Sequence, residues 1–162
     1  MKIEKVKIST LIPDPSNARK HDQKNLDSIK GSLAKFGQQK PLVVDYKNIV
    51  IAGNGTLAAA KELGWDEIDI VRTALKGSEL TAYGLADNRT GELASWDMEA
   101  LTAHLDALKA EDFDLDAIGF DDSFFNHDQT KEIKSGKELD ESDFSNFDHQ
   151  CPKCGFEFND NP

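Results

Sequence analysis

Apolar residues come at near-alternating positions at the start of the chain, with Ile3, Val6 and Ile8 set between Lys and Glu, and this pattern predicts a half-buried strand over residues 2–8. Pro13-Asp14-Pro15-Ser16-Asn17 cannot continue it and reads as a loop. From Gln23 to Phe36 the period changes. Leu26, Ile29, Leu33 and Phe36 recur at the spacing of one helix face, and Gly37 follows as a stop. Two short apolar runs, residues 41–45 and 49–51, flank Tyr46-Lys47-Asn48 and predict a hairpin. An alanine-rich helix to Leu63 and a strand near residues 68–71 come next. Beyond Thr73 the pattern is helical. Ser78 is the expected cap of a helix through Leu80, Tyr83, Leu85 and Ala86 toward Leu93. Asp97 is the expected cap of another through Leu101, Leu105 and Leu108, with Trp96 packed between the two.

The junction Ile49-Val50-Ile51-Ala52-Gly53-Asn54-Gly55-Thr56 carries the most chemistry. A β-run breaks on two glycines and restarts as a helix, so the free N–H groups of the first helical turn face whatever sits at the strand's end. Such a corner either cradles a phosphate or is a tight strand-to-helix turn that binds nothing.

Three blocks stand in order along the chain. They are the opening KIEKVKISTLIPDPSNARKH, the QQKPLVV and GNGT segments, and AYGLADNRTGE, closed by DFDLDAIGFDD. Together they resemble the ParB N-terminal/sulfiredoxin-like family, in the form found in phage proteins and beside DNA methyltransferase domains, over roughly residues 1–120. The resemblance implies an α/β (α+β) domain, a small mixed sheet with packed helices. It also implies that Gly53, Asn54, Gly55 and Thr56 contact phosphates. In reactive members a Cys or His and then an Arg follow the first glycine. Here Asn54 and Thr56 stand in those places, which removes thiol-dependent sulfiredoxin chemistry and one fixed positive charge. Asp87-Asn88-Arg89 is similar to the family's Glu-Asn block, with Asp87 and Asn88 as hard ligands for Mg²⁺ and Arg89 as the cation that offsets Thr56. Asn17 and Arg19 of the opening loop are expected to approach the same pocket. The other reading of Asp87 and Asn88 is a helix kink or exposed polar turn with Arg89 in a surface ion pair, and of Arg19 a solvated loop residue.

Composition narrows the function further. The 162 residues carry a net charge of -11 and are 38% hydrophobic with a mean hydropathy of -0.55, which fits one core plus a polar tail and no membrane span. Residues 1–120 hold 15 basic and 19 acidic side chains, and residues 121–162 hold 4 and 11. Duplex DNA is bound largely by neutralising phosphates, so tight direct duplex binding is not expected, although Arg19, Lys20, Lys35 and Lys40 could converge locally. The opening residues lack an apolar leader and two cysteines make no disulfide framework, so the expected location is the cytoplasm of a bacterial host cell.

After Phe120 the sequence reads as an acidic, flexible linker over residues 121–148, followed by a tail over residues 149–162. There His149-Gln150-Cys151-Pro152-Lys153-Cys154-Gly155 resembles one knuckle of a zinc ribbon. Cys151 and Cys154 are the expected thiolates and His149 a third ligand, completed by His127 or by a second chain in a dimer; the alternative is a metal-free turn. The leading expectation is a nucleotide-binding protein of DNA metabolism in a phage or mobile element, taking an NTP of undetermined base with Mg²⁺ and hydrolysing it weakly. A non-catalytic adaptor for a DNA-processing partner such as a methyltransferase or terminase is the second reading. A ParB-like nuclease is the third.

Overall fold

The computed structural model describes residues 2–121, 124, 149–150, 152–155 and 157–158. They belong to two compact units, residues 1–124 and 125–162. In the first, five strands form one mixed sheet: β1 (Ile3–Lys7), β2 (Ile12–Pro13), β3 (Leu42–Val44), β4 (Ile49–Ala52) and β5 (Glu67–Arg72). Their spatial order is β1-β5-β3-β4-β2. The β1/β5 and β3/β4 pairs are antiparallel, and the β3/β5 and β2/β4 pairs are parallel. Among the described residues the sheet is accompanied by the helices α1 (Gln23–Phe36), α2 (Asn54–Glu62), α3 (Ser78–Leu93) and α4 (Met98–Ala110).

The core follows from the central strands. Leu42, Val44, Val50, Ile68 and Ile70 are buried, and Leu57, Ala59 and Ala60 of α2 and Leu33 of α1 join the same cluster. Each large aliphatic side chain there stabilises the fold by about 1.5–3 kcal/mol. The two alanines present no bulk, so α2 can seat closely among them. Asp22 caps α1 by accepting from the Asn25 N–H at 2.8 Å, and Gly37, at φ +68°, ends it with its N–H on the Leu33 carbonyl at 2.9 Å. Lys30 of α1 reaches Asp27 at 2.6 Å and Glu62 of α2 at 2.8 Å. The Lys30 hydrogen bond, followed by that of Gln23, holds the Asp27 carboxyl below its ordinary pKa, and Asp27 and then Glu62 raise that of Lys30.

Two local expectations need correction. Ser78 is the first helical residue of α3, not its cap, because the chain turns one residue earlier at Gly77, at φ +55°. Trp96 does not pack between helices: it is 62% exposed and meets the edge of Phe120 at 5.9 Å, which in turn meets Phe124 at 5.0 Å. The physical reason is that α3 lies along β4 with no fully buried side chain, and its end at Leu93 is exposed, so no interhelical core forms there for an indole. Asp97 does cap α4, accepting from the Ala100 N–H at 3.0 Å.

Helix α1 also packs on a 3₁₀ turn at Asp116–Ile118. A Cβ placed on Gly31 would overlap the Ala117 carbonyl oxygen, whereas one on Gly91 in α3 would meet nothing within 4 Å. Helix propensity alone favours Ala over Gly by about 1 kcal/mol at both sites, and overpacking against backbone costs about 1–3 kcal/mol at the first. Gly31→Ala is therefore expected to lower the urea midpoint and Gly91→Ala to raise it slightly. Equal shifts in the same direction would refute the close approach.

The second unit contains the antiparallel pair β6 (His149–Gln150) and β7 (Glu157–Phe158), with Gly155 at φ +76° in the turn and the Gln150 amide donating to its carbonyl at 3.3 Å. His149 and Cys154 of the expected zinc knuckle lie in this hairpin, and Cys154 is exposed with a free thiol. Cys151 and His127 lie outside the described residues, as does the expected linker apart from Asp121 and Phe124.

Candidate functional site

Strand β4 delivers the chain to Gly53, whose φ of +95° lies in the left-handed region. A Cβ there would also stand 2.5 Å from the Leu42 Cδ2, so a side chain would add displacement of that buried leucine to the backbone strain. Helix α2 then starts, and its first closing bond runs from the Leu57 N–H to the Gly53 carbonyl at 2.9 Å. The carbonyls four residues before Asn54, Gly55 and Thr56 belong to β4, which leaves these three N–H groups without helical acceptors. Together with Gly53, the three residues line a cleft of about 230 Å³.

Asn17 and Arg19 form another wall. The loop that carries them is built by side chains: Asp14 accepts from the Ser16 N–H at 2.8 Å, and Asn17 accepts from the Arg19 N–H at 3.1 Å. Asn54 fastens this loop to the sheet, accepting from the Asp14 N–H at 3.0 Å and donating to the Val50 carbonyl at 2.8 Å. Its side chain is thus committed to structure, and its backbone N–H is what it offers a ligand.

Helix α3 supplies Asp87 and Asn88 to the same cleft. The Asn88 amide nitrogen donates to the Gly84 carbonyl at 2.9 Å, leaving its amide oxygen as an acceptor. Arg89 is not part of the lining. Successive helical residues point about 100° apart, and its guanidinium lies 3.2 Å from Glu92, with the side chain 65% exposed. The expected compensation of Thr56 by Arg89 is therefore not what this geometry presents. The cations in the lining are Arg19 and Lys40, the latter 3.8 Å from Asp87.

His21 also lines the cleft and escaped the sequence reading. Its Nδ1 lies 2.7 Å from the Asn25 side-chain oxygen, and its ring fills the space that a Cβ on Gly55 would need, 2.7 Å from Cε1. Its place directly before the Asp22 cap was the available signal, since a residue there is held at the root of α1. A second cleft, of about 210 Å³, adjoins the first through Asn17, Ile51 and Asn88 and is walled by Leu80, Thr81 and Leu85.

A mixed sheet whose glycine-led helix corner faces an Asn-x-Arg loop and an Asp-Asn pair defines a small class of α/β domains. The chain belongs to the ParB N-terminal domain family, which matches residues 1–110. It is 34% identical over 87 residues to the probable chromosome-partitioning protein ParB of Campylobacter jejuni, an alignment covering 51% of this chain and 31% of that protein. It is 33% identical over 73 residues to the ParB-like nuclease domain-containing protein YnaK of Escherichia coli, covering 42% of this chain and 84% of the relative. Among solved structures, the C-terminally truncated chromosome-partitioning protein ParB of Caulobacter crescentus, complexed with CTP-γ-S, shares the fold. The TM-score is 0.57 at 20% identity, covering 68% of this chain and 66% of that one. The chain thus spans about a third of the Campylobacter relative and just under two thirds of the Caulobacter structure. No described helix is long and apolar enough to cross a membrane.

Proposed function

We propose that this domain binds a nucleoside triphosphate, CTP being the first candidate, together with Mg²⁺, and serves DNA partitioning or a related DNA-handling process. The observation that carries the reading is the convergence of three unengaged N–H groups of α2 with Arg19 and Lys40 around one cleft. N–H donors and cations lining one cleft suit a polyphosphate. The adjoining cleft, with Leu80 and Leu85 in its wall, has room for the nucleoside end. Its relative in Caulobacter crescentus was crystallised with a CTP analogue, which is why CTP is preferred among the four bases.

The metal fits the donors present. Among the described residues no group of three or more His, Cys, Asp or Glu forms a cage, while Asp87 and the Asn88 oxygen both line the cleft. Mg²⁺ is commonly held by one or two protein oxygens with phosphates and water, and it would neutralise phosphate charge there. Binding is then the primary activity, with hydrolysis slow. An adaptor that binds no nucleotide is the second reading, favoured by the exposed ion pairs that already occupy Arg19 and Lys40.

Calorimetric titration separates the two. Saturable heat is expected with CTP in the presence of Mg²⁺, weakened by chelator, and no tight binding is expected with duplex DNA. Absence of heat and of any thermal shift with all four NTPs would favour the adaptor.

A further inference from the structure

Arg19 stands on the border between two depressions. It lines the glycine-corner cleft, and it also lines a neighbouring one with Asn88, Arg89 and Glu92. Glu92 belongs only to the neighbour. Its Oε1 lies 2.6 Å from the Arg19 Nη1 and its Oε2 lies 3.2 Å from the Arg89 Nη1, so one carboxylate draws two guanidinium groups together on the outer flank of α3. Swinging the Arg19 guanidinium fully toward the glycine corner draws Nη1 away from Glu92.

We propose that Glu92 is an internal competitor for the ligand's phosphates, which lowers the affinity of the cleft by occupying Arg19 until a polyphosphate displaces it. The inference rests on the nucleotide reading above and adds a residue that sets affinity without lining the cleft. Glu92 takes a single N–H of Arg19 and leaves the other guanidinium donors free, so it competes through its charge and by holding the group at the outer flank of α3, both of which a phosphate in the cleft has to overcome. All three partners are exposed, at 42% for Arg19, 46% for Glu92 and 65% for Arg89, which makes the exchange an easy one. Salt screens the internal pair as well as the ligand, so the competitor also flattens the salt dependence of binding.

The test is calorimetry on the full chain with CTP–Mg²⁺ and, separately, with inorganic tripolyphosphate, for wild type, Glu92→Gln, Arg19→Ala and the double variant. Glu92→Gln is expected to tighten both ligands by about 1.5- to 5-fold, the affinity equivalent of an exposed ion pair, and to steepen the loss of affinity with salt. The gain should vanish in the Arg19→Ala background. Unchanged or weaker binding by Glu92→Gln, with wild type binding normally, would overturn the competitor and show that Glu92 instead positions Arg19 for the ligand. Failure of wild type and Glu92→Gln alike to bind either probe would overturn the nucleotide reading and this inference together. Wild-type binding of tripolyphosphate or CTP keeps the two outcomes apart.

Discussion

Arg19→Ala is expected to weaken CTP–Mg²⁺ binding by about 10- to 100-fold, and Arg89→Ala by less than about threefold. A charge-assisted hydrogen bond from guanidinium to phosphate is worth roughly 1.5–3 kcal/mol, which at 25 °C corresponds to the first range. Arg19 lines the cleft and is presented by a loop that Asn17 and Asn54 hold against the start of α2. Arg89 points to the outer flank of α3 and bonds the exposed Glu92, a contact of the kind that contributes about 0.3–0.5 kcal/mol. Neither change should unfold the protein, because each removes one exposed pair. Titration of both variants with CTP and Mg²⁺, with melting temperatures alongside, decides the matter: equal losses, or a larger loss for Arg89→Ala, would restore Arg89 as the phosphate cation.

The different placement of Arg19 and Arg89 shows where the sequence was readable and where it was not. The glycine corner was legible because Gly53 and Gly55 interrupt a strand-to-helix transition, a local event fixed by backbone sterics. Helix α1 was legible because the 3–4 spacing and the Gly37 stop act within one segment, and the Asp22 cap, which the structure adds, is a local signal of the same kind. The direction of a side chain on a known helix was harder. Asp87, Asn88 and Arg89 look like one block in sequence, yet the helix spreads them around its axis and turns Arg89 out of the cleft. Phe36 has the spacing of a core residue, but it is 46% exposed and stacks on Phe113 at 6.1 Å, a partner that no local pattern announces. Strand β2 left no periodic trace at all: it is two residues long, includes Pro13, and exists only because the parallel edge of β4 lies beside it. The Arg19–Glu92 pair joins residues 73 apart, a contact set by tertiary structure.

Asp45→Ala is expected to cost about 2–4 kcal/mol of stability, and with it roughly 5–15 °C of melting temperature for a chain of this size. Asp45 is a buried polar residue, 4% exposed, at the end of β3. One carboxylate oxygen accepts from the Lys47 and Ile49 N–H groups, both at 2.8 Å, and closes the turn in which Asn48 takes a φ of +67°. The turn is a junction for the sheet. Arg72 of β5 donates to the Asp45 carbonyl at 3.1 Å and to the Asn48 side chain at 2.9 Å, and the Asn48 carbonyl accepts from Ile12 of β2 at 2.9 Å. Alanine would leave two N–H groups without their acceptor and release the turn that sets the register of β4, the strand that runs into Gly53. Asp45→Asn keeps an oxygen for the Lys47 and Ile49 N–H groups while losing the charge and replacing the other oxygen by NH2, so it should cost about half as much. Because the carboxylate acts on folding and not on the phosphates, the folded fraction of Asp45→Asn should bind CTP within about threefold of wild type, a difference under roughly 0.7 kcal/mol. A much larger loss of binding with little loss of stability would place Asp45 in the binding site through the second cleft, whose wall it shares.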